Sequence, residues 1–217
     1  MDTRKEIEDV LHKFPTLAYC DKKNELYGEL NATKNDIYGL RVDLNPYPAS
    51  FPIVYETDER IPKKVKRHIY TDTKSCCFTT QAKAQILMKT SITSLSLFIS
   101  EIVIPYLQNN SYYEINKCYK TDEYSHNGFG IVEGYQDILK TNNKLAIAKL
   151  VLDRINGIKL RNQDLCYCMS GEKLKNCSNK THRQAYRDFK KVSRVTLQND
   201  LVSSFTPYFN KLKNEGF

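Results

Sequence analysis

The chain has 217 residues, of which 41% are hydrophobic, enough for one domain of ordinary size with or without a small appendage. The formal net charge of +8 suits an acidic or polyanionic partner, and it equally suits a solvated basic surface. The charged N-terminus lacks a signal-peptide core, and the longest apolar run, residues 95–107, is shorter than the ~20 residues that span a bilayer. We therefore expect a cytoplasmic protein without a membrane segment.

The first half of the chain predicts a helix followed by an antiparallel meander. Residues 3–14 place apolar side chains at helical spacing, and Pro15 ends that helix. Strands are predicted at "ELYGEL", "IYGLRVDL" and "IVYET", the first two joined by the turn "NATKND". Between the second and third strands, "NPYPASFP" contains three prolines and predicts an ordered, extended connection.

A long loop and a series of helices are predicted next. Residues 58–83 show no periodicity, and a loop of that length inside a domain is usually functional or disordered. Residues 91–108 predict a helix that is apolar on more than one face and therefore packs centrally. Further helices are predicted at about 130–140 and 144–156, and a basic helix at about 181–199. A domain boundary is predicted near residue 157.

Two adjacent cysteines, Cys76 and Cys77, lie in the long loop within "HIYTDTKSCCFTT". The chain has seven cysteines, and in a reducing compartment these are buried, catalytic or metal-binding more often than disulfide-bonded. Adjacent cysteines do not readily form a relaxed disulfide with each other. Basic residues precede the pair, and positive neighbours lower a thiol pKa. A reactive thiol and a buried, purely structural cysteine both fit this pattern.

The order of these elements, together with "YPASFPIVYET", resembles the ubiquitin-conjugating enzyme family. Tyr47, Pro48 and Pro52 stand where that family has its Tyr-Pro-x-x-Pro-Pro turn. The resemblance implies an α+β fold of the ubiquitin-conjugating type, with an N-terminal helix, a meander sheet, a long active-site loop and a central helix. It also implies a C-terminal helical or zinc-knuckle-like appendage, giving segments 1–157 and 158–217.

Alignment with that family implies Cys76 as the thioester nucleophile, with Cys77 as a packing neighbour and alternate candidate. His68 then stands at the asparagine of the family's His-Pro-Asn triplet, and Asp72 at its loop turn. His68 is predicted to stabilise an oxyanion, to act as a base toward an amine, or only to hold the loop. The triplet proline is absent, and the chain contains no tryptophan.

A bacterial subgroup of these enzymes is similar to the whole span from about residue 5 to 180, including "EYSHNGFGIVEGY" with His126. Similar stand-alone enzymes occur beside antiphage nucleotide cyclases, in CBASS systems. The resemblance implies an activating enzyme that adenylates a carrier, and a carrier C-terminus from a cyclase or a ubiquitin-like protein. Catalysis would need no cofactor. His126 is a catalytic candidate or part of a capped loop before the next helix.

The run "CYCMSGEKLKNC" resembles the SEC-C motif, a zinc knuckle with Cys-x-Cys-(x8)-Cys spacing. Cys166, Cys168 and Cys177 fit this spacing, but Ser178 occupies the position of the fourth ligand. Structural zinc needs four ligands, and His182 is the predicted replacement. A decayed motif without metal is the other interpretation.

Three functions remain open from the sequence. The first is a cysteine-dependent conjugating enzyme that transfers a carrier C-terminus to an amine in bacterial antiphage defence. The second is a non-catalytic adaptor of the same fold that binds a protein tail. The third is a nucleic-acid-binding zinc-knuckle protein, based on the net charge and the basic C-terminal helix; a solvated face explains that helix equally well, and we do not expect nucleic acid as the partner.

Overall fold

A computed structural model of the chain describes residues 3–120, 124–207 and 210, and its fold class is α+β. The strands in this part of the chain are β1 (Leu17–Cys20), β2 (Glu25–Thr33), β3 (Asp36–Asp43) and β4 (Ile53–Glu56). The α-helices are α1 (Thr3–Lys13), α2 (Gln81–Met88), α3 (Leu95–Phe98), α4 (Ile104–Asn116), α5 (Gly128–Leu139), α6 (Lys144–Ile155), α7 (His182–Phe189) and α8 (Arg194–Asp200). No helix in the described residues is both long enough and apolar enough to cross a bilayer.

The strands form one antiparallel sheet in the order β1-β2-β3-β4. Leu26 pairs with Val42, and Val42 pairs with Val54, so these buried side chains form a row on one face of the sheet. In the next row Arg41 pairs with Tyr55 on the opposite, more exposed face. The predicted meander is confirmed, with one additional strand, β1, which at four residues is too short to show a periodic pattern.

Residues 95–116 form one continuous helical run made of α3, a π-helical turn (Ile99–Val103) and α4. The run begins later than the predicted residue 91 because the Ser94 side chain accepts a hydrogen bond from the Leu97 amide (3.2 Å) and caps the helix there. Pro105 has no amide hydrogen for the helical ladder, which favours the wider turn just before it. The buried side of this run belongs to the same hydrophobic core as the sheet.

One carboxylate joins three separate segments of this region. Glu6 of α1 accepts a hydrogen bond from the Tyr47 phenol and another from the Leu95 amide (2.7 Å). The Tyr47–Pro48 peptide bond is cis, and Pro52 at the end of the connection is buried. The proline-rich connection is therefore fixed to α1. Residues 45–49 form turns, closed by bonds such as the one from the Ser50 amide to the Pro46 carbonyl (3.0 Å), so the prediction of an extended path is wrong.

Contacts along the chain define two compact units. The first comprises Met1–Phe78 and Leu87–Glu123, and the second comprises Thr79–Ile86 and Tyr124–Phe217. The predicted boundary near residue 157 falls inside the second unit, because α5 and α6 share a hydrophobic core with α7 and α8. Residues 208–209 and 211–217 of the predicted C-terminal segment lie outside the described residues.

The second unit contains two helices where the sequence predicted one basic helix at 181–199. α7 ends at Phe189, and α8 begins after Ser193, whose side chain accepts a hydrogen bond from the Thr196 amide (3.1 Å). Val192, between the two helices, is buried in the unit's core. Capping and burial thus interrupt a segment whose composition alone favours one uninterrupted helix.

Directly after β4, a buried carboxylate organises the start of the long loop. The Glu56 side chain accepts hydrogen bonds from the amides of Asp58 (2.8 Å), Arg60 (3.2 Å) and Ile61 (3.2 Å). It also pairs with the Lys63 ammonium group (3.2 Å), and only 3% of Glu56 is exposed. Residues 57–63 are therefore folded around this one side chain.

We predict that Glu56→Gln lowers the free energy of unfolding by about 2–4 kcal/mol. The glutamine NH₂ group would face backbone amides that also donate, and Lys63 would lose its charge partner. Urea unfolding at neutral pH measures this loss. Glu29→Gln, the same change at an exposed position of β2, is expected to stay within about 0.5 kcal/mol. Equal losses in the two variants would contradict an organising role for Glu56.

Candidate active site and metal centre

The two adjacent cysteines lie on one arm of a short hairpin formed by residues 68–77, here called the cysteine hairpin. Ile69 and Cys76 form an isolated antiparallel bridge. The Cys77 amide donates to the His68 carbonyl (2.7 Å), and the Tyr70 amide donates to the Ser75 carbonyl (2.9 Å). The region predicted as an irregular loop thus contains paired backbone at its functional end.

This pairing decides which cysteine faces the core. Directly paired residues share a face, and neighbours along a strand alternate. Ile69 and Cys76 are accordingly both buried, with 2% and 6% exposure. Cys77 is half-buried and Tyr70 is exposed. The expectation that Cys77 packs under the loop is therefore reversed, since Cys76 occupies the packed position.

Cys76 is held inside the first unit at both backbone and side chain. Its amide donates to the Val54 carbonyl of β4 (2.8 Å), and its thiol hydrogen-bonds with the Tyr106 phenol. Burial raises the pKa of the Cys76 thiol to about 12, although the Tyr106 hydrogen bond acts in the opposite direction. At neutral pH this thiol stays protonated, which makes it a poor nucleophile.

Cys77 is the more accessible thiol of the pair. Burial also raises its pKa, but a hydrogen bond from the Tyr70 side chain opposes that shift. No sequence pattern selected Tyr70, because a single tyrosine in a polar loop is not part of a recognisable spacing. Its proximity to Cys77 follows from the hairpin pairing.

His68 lies at the base of the cysteine hairpin in a left-handed conformation (φ 51°). Its ring packs against Tyr119, with ring centroids 5.3 Å apart. Its carbonyl accepts hydrogen bonds from the Cys77 amide and from the Tyr106 phenol (3.0 Å). The His68 backbone thus takes part in the hairpin pairing, while the roles predicted for its imidazole stay predictions.

Asp72 lies at the exposed tip of the cysteine hairpin. Its carboxylate accepts a hydrogen bond from the Thr73 amide (2.8 Å), which stabilises the turn. Lys74 follows with a positive φ of 61°, and its amide closes the turn on the Tyr70 carbonyl (2.8 Å). Asp72 therefore occupies the turn position that its alignment implied.

The central helix anchors the hairpin through residues that the sequence did not single out as functional. Arg67 is buried, and its guanidinium donates to the Asn110 side-chain oxygen (2.9 and 3.1 Å) and stacks on Tyr113 (4.5 Å). Tyr106 adds the bond to the His68 carbonyl. Periodicity identified the helix as central but could not show that its polar side chains face the loop.

The remaining predicted site residues lie elsewhere. Tyr47, Pro48 and Pro52 form the ordered connection that is fixed to Glu6. His126 belongs to the second unit, whereas Cys76 and Cys77 belong to the first. The loop before α5 is closed by Glu133, whose carboxylate accepts hydrogen bonds from the Ser125 amide and hydroxyl (2.5 and 2.7 Å). These bonds close the loop before α5, and both roles predicted for His126 stay predictions.

In the second unit the structure brings together the four predicted metal-binding residues, Cys166, Cys168, Cys177 and His182. Their ligand atoms all lie within 4.8 Å of one another. The Cys168 and Cys177 sulfurs are 3.7 Å apart, and His182 Nδ1 lies 3.3 Å from Cys177 and 3.5 Å from Cys166. This cluster could hold a metal ion.

A second hydrogen bond fixes the tautomer of the histidine in the cluster. His182 Nε2 lies 3.0 Å from the Lys140 carbonyl. A carbonyl only accepts, so Nε2 carries the proton and Nδ1 presents its lone pair to the cysteines. His182 is 3% exposed, which holds the ring in this position.

The ligand expected from the motif spacing, Ser178, is exposed and donates its amide to Glu172 instead (2.6 Å). His182, from the first turn of α7, completes the set in its place. Met169 adopts a left-handed conformation (φ 63°), which glycine adopts without strain.

Two thiols of the cluster, Cys166 and Cys168, differ in acidity. Burial raises the pKa of the Cys166 thiol to about 12. Burial also opposes ionisation of Cys168, but hydrogen bonds from Ser170 and from the other two thiols lower the pKa of Cys168 to about 6. The Cys168 thiolate is thus stabilised at neutral pH. A metal cation is the kind of partner that would stabilise further thiolates in the cluster.

The basic helix predicted as a possible nucleic-acid surface is divided among α7, the following turn and the start of α8. Arg183, Arg187, Lys190 and Arg194 are exposed. The Lys191 ammonium group pairs with Asp188 (2.5 Å). This arrangement fits a solvated surface as well as an anionic partner.

No family model, no curated protein and no solved structure matches this chain. The function therefore has to be argued from the geometry of the chain itself.

We predict that iodoacetamide modifies Cys77 in the folded protein well before it modifies Cys76, because only the Cys77 thiol is partly exposed. Cys118 is exposed and serves as an internal control for labelling efficiency. Fragmentation of the peptide that contains both cysteines assigns the label, and labelling of Cys76 is expected only after unfolding. Equal labelling of both cysteines in the folded state would contradict the hairpin assignment.

Proposed function

We propose that the protein is a cysteine-dependent conjugating enzyme in which Cys77 carries an acyl group as a thioester. The observation that supports this most strongly is the cysteine hairpin, which presents one thiol outward on a backbone bonded to both the sheet and the central helix. The order of elements in the first unit, helix, meander, proline-rich connection, hairpin and central helix, supports a fold of the ubiquitin-conjugating type.

The shift from Cys76 to Cys77 follows from accessibility. A carrier protein must bring its C-terminal carbonyl within bonding distance of the sulfur, and a thiol with 6% exposure offers no approach. Cys76 instead acts as the core residue beneath the reactive one. The alternate nucleophile of the sequence alignment is therefore the residue we propose.

The proposed chemistry has two steps. The Cys77 thiolate attacks the activated carbonyl of a carrier C-terminus, forming a carbon–sulfur bond as the bond to the activating enzyme's leaving group breaks. An amine then attacks the thioester, the Cys77 thiolate leaves, and the amine loses a proton to give an amide. An activating enzyme is required because a free carboxylate does not form a thioester unaided.

The carrier is proposed to be a ubiquitin-like protein or a nucleotide cyclase of an antiphage system, as the resemblance implies. The shared requirement is a flexible C-terminus that reaches the hairpin. A non-catalytic adaptor of the same fold would bind such a tail without forming a covalent bond, and covalent trapping separates these two functions.

We predict that incubation with a candidate activating enzyme, ATP and carrier gives an adduct that thiol reagents reverse. Cys77→Ala is expected to abolish the adduct, and Cys77→Ser to give an adduct that resists thiols, because an oxygen ester replaces the thioester. Cys76→Ala is the matched control and should keep the adduct. Intact mass on non-reducing samples measures each case.

The alternatives give distinct results in the same experiment. An adduct lost with Cys76→Ala and kept with Cys77→Ala would return the nucleophile to Cys76. A carrier that binds the wild-type protein but forms no adduct would identify an adaptor.

We also propose that the cluster of Cys166, Cys168, Cys177 and His182 binds structural zinc, because its ligand distances fit a tetrahedral ion. Zinc–sulfur bonds of about 2.3 Å and zinc–nitrogen bonds of about 2.0 Å place tetrahedral ligands roughly 3.5–3.8 Å apart. The closest distances in the cluster are 3.3–3.7 Å. Zinc would stabilise the second unit and take no part in the acyl transfer.

We predict that the purified protein contains one zinc ion per chain and that His182→Ala or Cys177→Ser removes it. Loss of the ion should lower the free energy of unfolding of the second unit by at least about 4 kcal/mol. This is the stabilisation that a ligand provides when its free concentration is about a thousandfold its Kd. Elemental analysis and thermal unfolding with a chelator measure both effects. Cys118→Ser, an exposed cysteine of the first unit, is the control.

A wild-type protein purified without metal, and equally stable with and without added zinc, would identify the cluster as a packed set of thiols.

A further inference from the structure

The cysteine hairpin places Tyr70 diagonally across from Cys77 on its outer face. The backbone bonds from Cys77 to His68 and from Tyr70 to Ser75 set this register. In a paired ribbon, a residue and the diagonal neighbour two positions along lie close enough for a long aromatic side chain to reach. The register therefore brings the Tyr70 ring within reach of the Cys77 sulfur. Burial raises the pKa of the Cys77 thiol, and the neighbouring Tyr70 side chain opposes that rise.

The other tyrosines near the hairpin have different partners. The Tyr106 phenol bonds the His68 carbonyl and the Cys76 thiol. The Tyr119 phenol donates to the Lys66 carbonyl (3.1 Å). Tyr70 is 47% exposed, so the core does not require its ring for packing.

We propose that Tyr70 is a positioning residue, whose phenol O–H donates to the Cys77 sulfur and holds the thiolate on the outer face of the hairpin. This inference rests on the proposed role of Cys77 as the acyl-carrying thiol. Its chemistry is general: a hydrogen bond to an ionised sulfur favours the charged, nucleophilic form over the neutral thiol.

The backbone of Tyr70 allows this role to be tested separately from folding. Its amide and carbonyl are both bonded within the hairpin, to Ser75 and Lys74 respectively. Replacing the phenol by a phenyl ring removes only the hydroxyl group and leaves these bonds intact. Tyr70→Phe is therefore expected to fold normally.

The test is the pH dependence of Cys77 alkylation by iodoacetamide in the full chain, between pH 7 and 11. Tyr70→Phe should move the midpoint of the profile upward by about one pH unit and slow the reaction at neutral pH about tenfold, because the thiolate loses a hydrogen bond. Tyr27→Phe, an exposed tyrosine on the sheet, is the matched control and should match the wild type. The thermal midpoint of each variant checks folding.

An unchanged profile in Tyr70→Phe would overturn the inference, whatever the outcome of the trapping experiment. A shifted profile supports it even if no carrier adduct forms, because alkylation needs neither an activating enzyme nor a carrier. If Tyr70→Phe unfolds, Tyr70→His provides a second variant, because it keeps a ring and a hydrogen-bond donor. A pH profile of Tyr70→His close to that of the wild type supports the inference. A shift as large as that of Tyr70→Leu, which has no donor, contradicts it.

Discussion

The hydrogen bond from the Cys76 amide to the Val54 carbonyl ties the cysteine hairpin to the last strand of the sheet. With Cys76 fixed there, its side chain must point into the core and the next side chain must point away from it. Tyr106 adds a second attachment, from the central helix to the His68 carbonyl. The position of the accessible thiol is thus a consequence of where the hairpin meets the scaffold, and rigid elements on both sides hold it.

Cysteine has a different physical role in each unit. In the first unit, burial keeps Cys76 neutral while the neighbouring sulfur remains accessible. In the second unit, three sulfurs and one imidazole nitrogen converge in a cluster that could hold a metal ion, as we propose for zinc. The histidine there also bonds the carbonyl at the end of α5, so the cluster links the knuckle segment to that helix. In the function we propose, these environments separate chemical reactivity from structural metal binding within one chain.

Much of the architecture could be predicted from the sequence. Alternation in residues 37–44 and helical spacing in residues 3–14 are strong local signals, and the cysteine spacing with His182 identified the ligand cluster. Which of the two adjacent cysteines faces the core could not be predicted from the sequence. A shift of one residue in the strand pairing would turn every side chain of the hairpin to the opposite face. The register depends on a left-handed lysine, Lys74, and lysine gives no sequence signal for that conformation. The break between α7 and α8 depends on tertiary burial of Val192, which composition does not reveal.

The shared carboxylate of Glu6 has a consequence for how the chain folds during synthesis. Its two partners lie 41 and 89 residues further along the chain. During synthesis, α1 therefore emerges from the ribosome long before Leu95, whose amide completes the set of bonds to Glu6. The first unit also resumes at Leu87 after the chain has already contributed a segment to the second unit. Such long-range closure favours late, cooperative completion of the first unit over stepwise folding from the N-terminus.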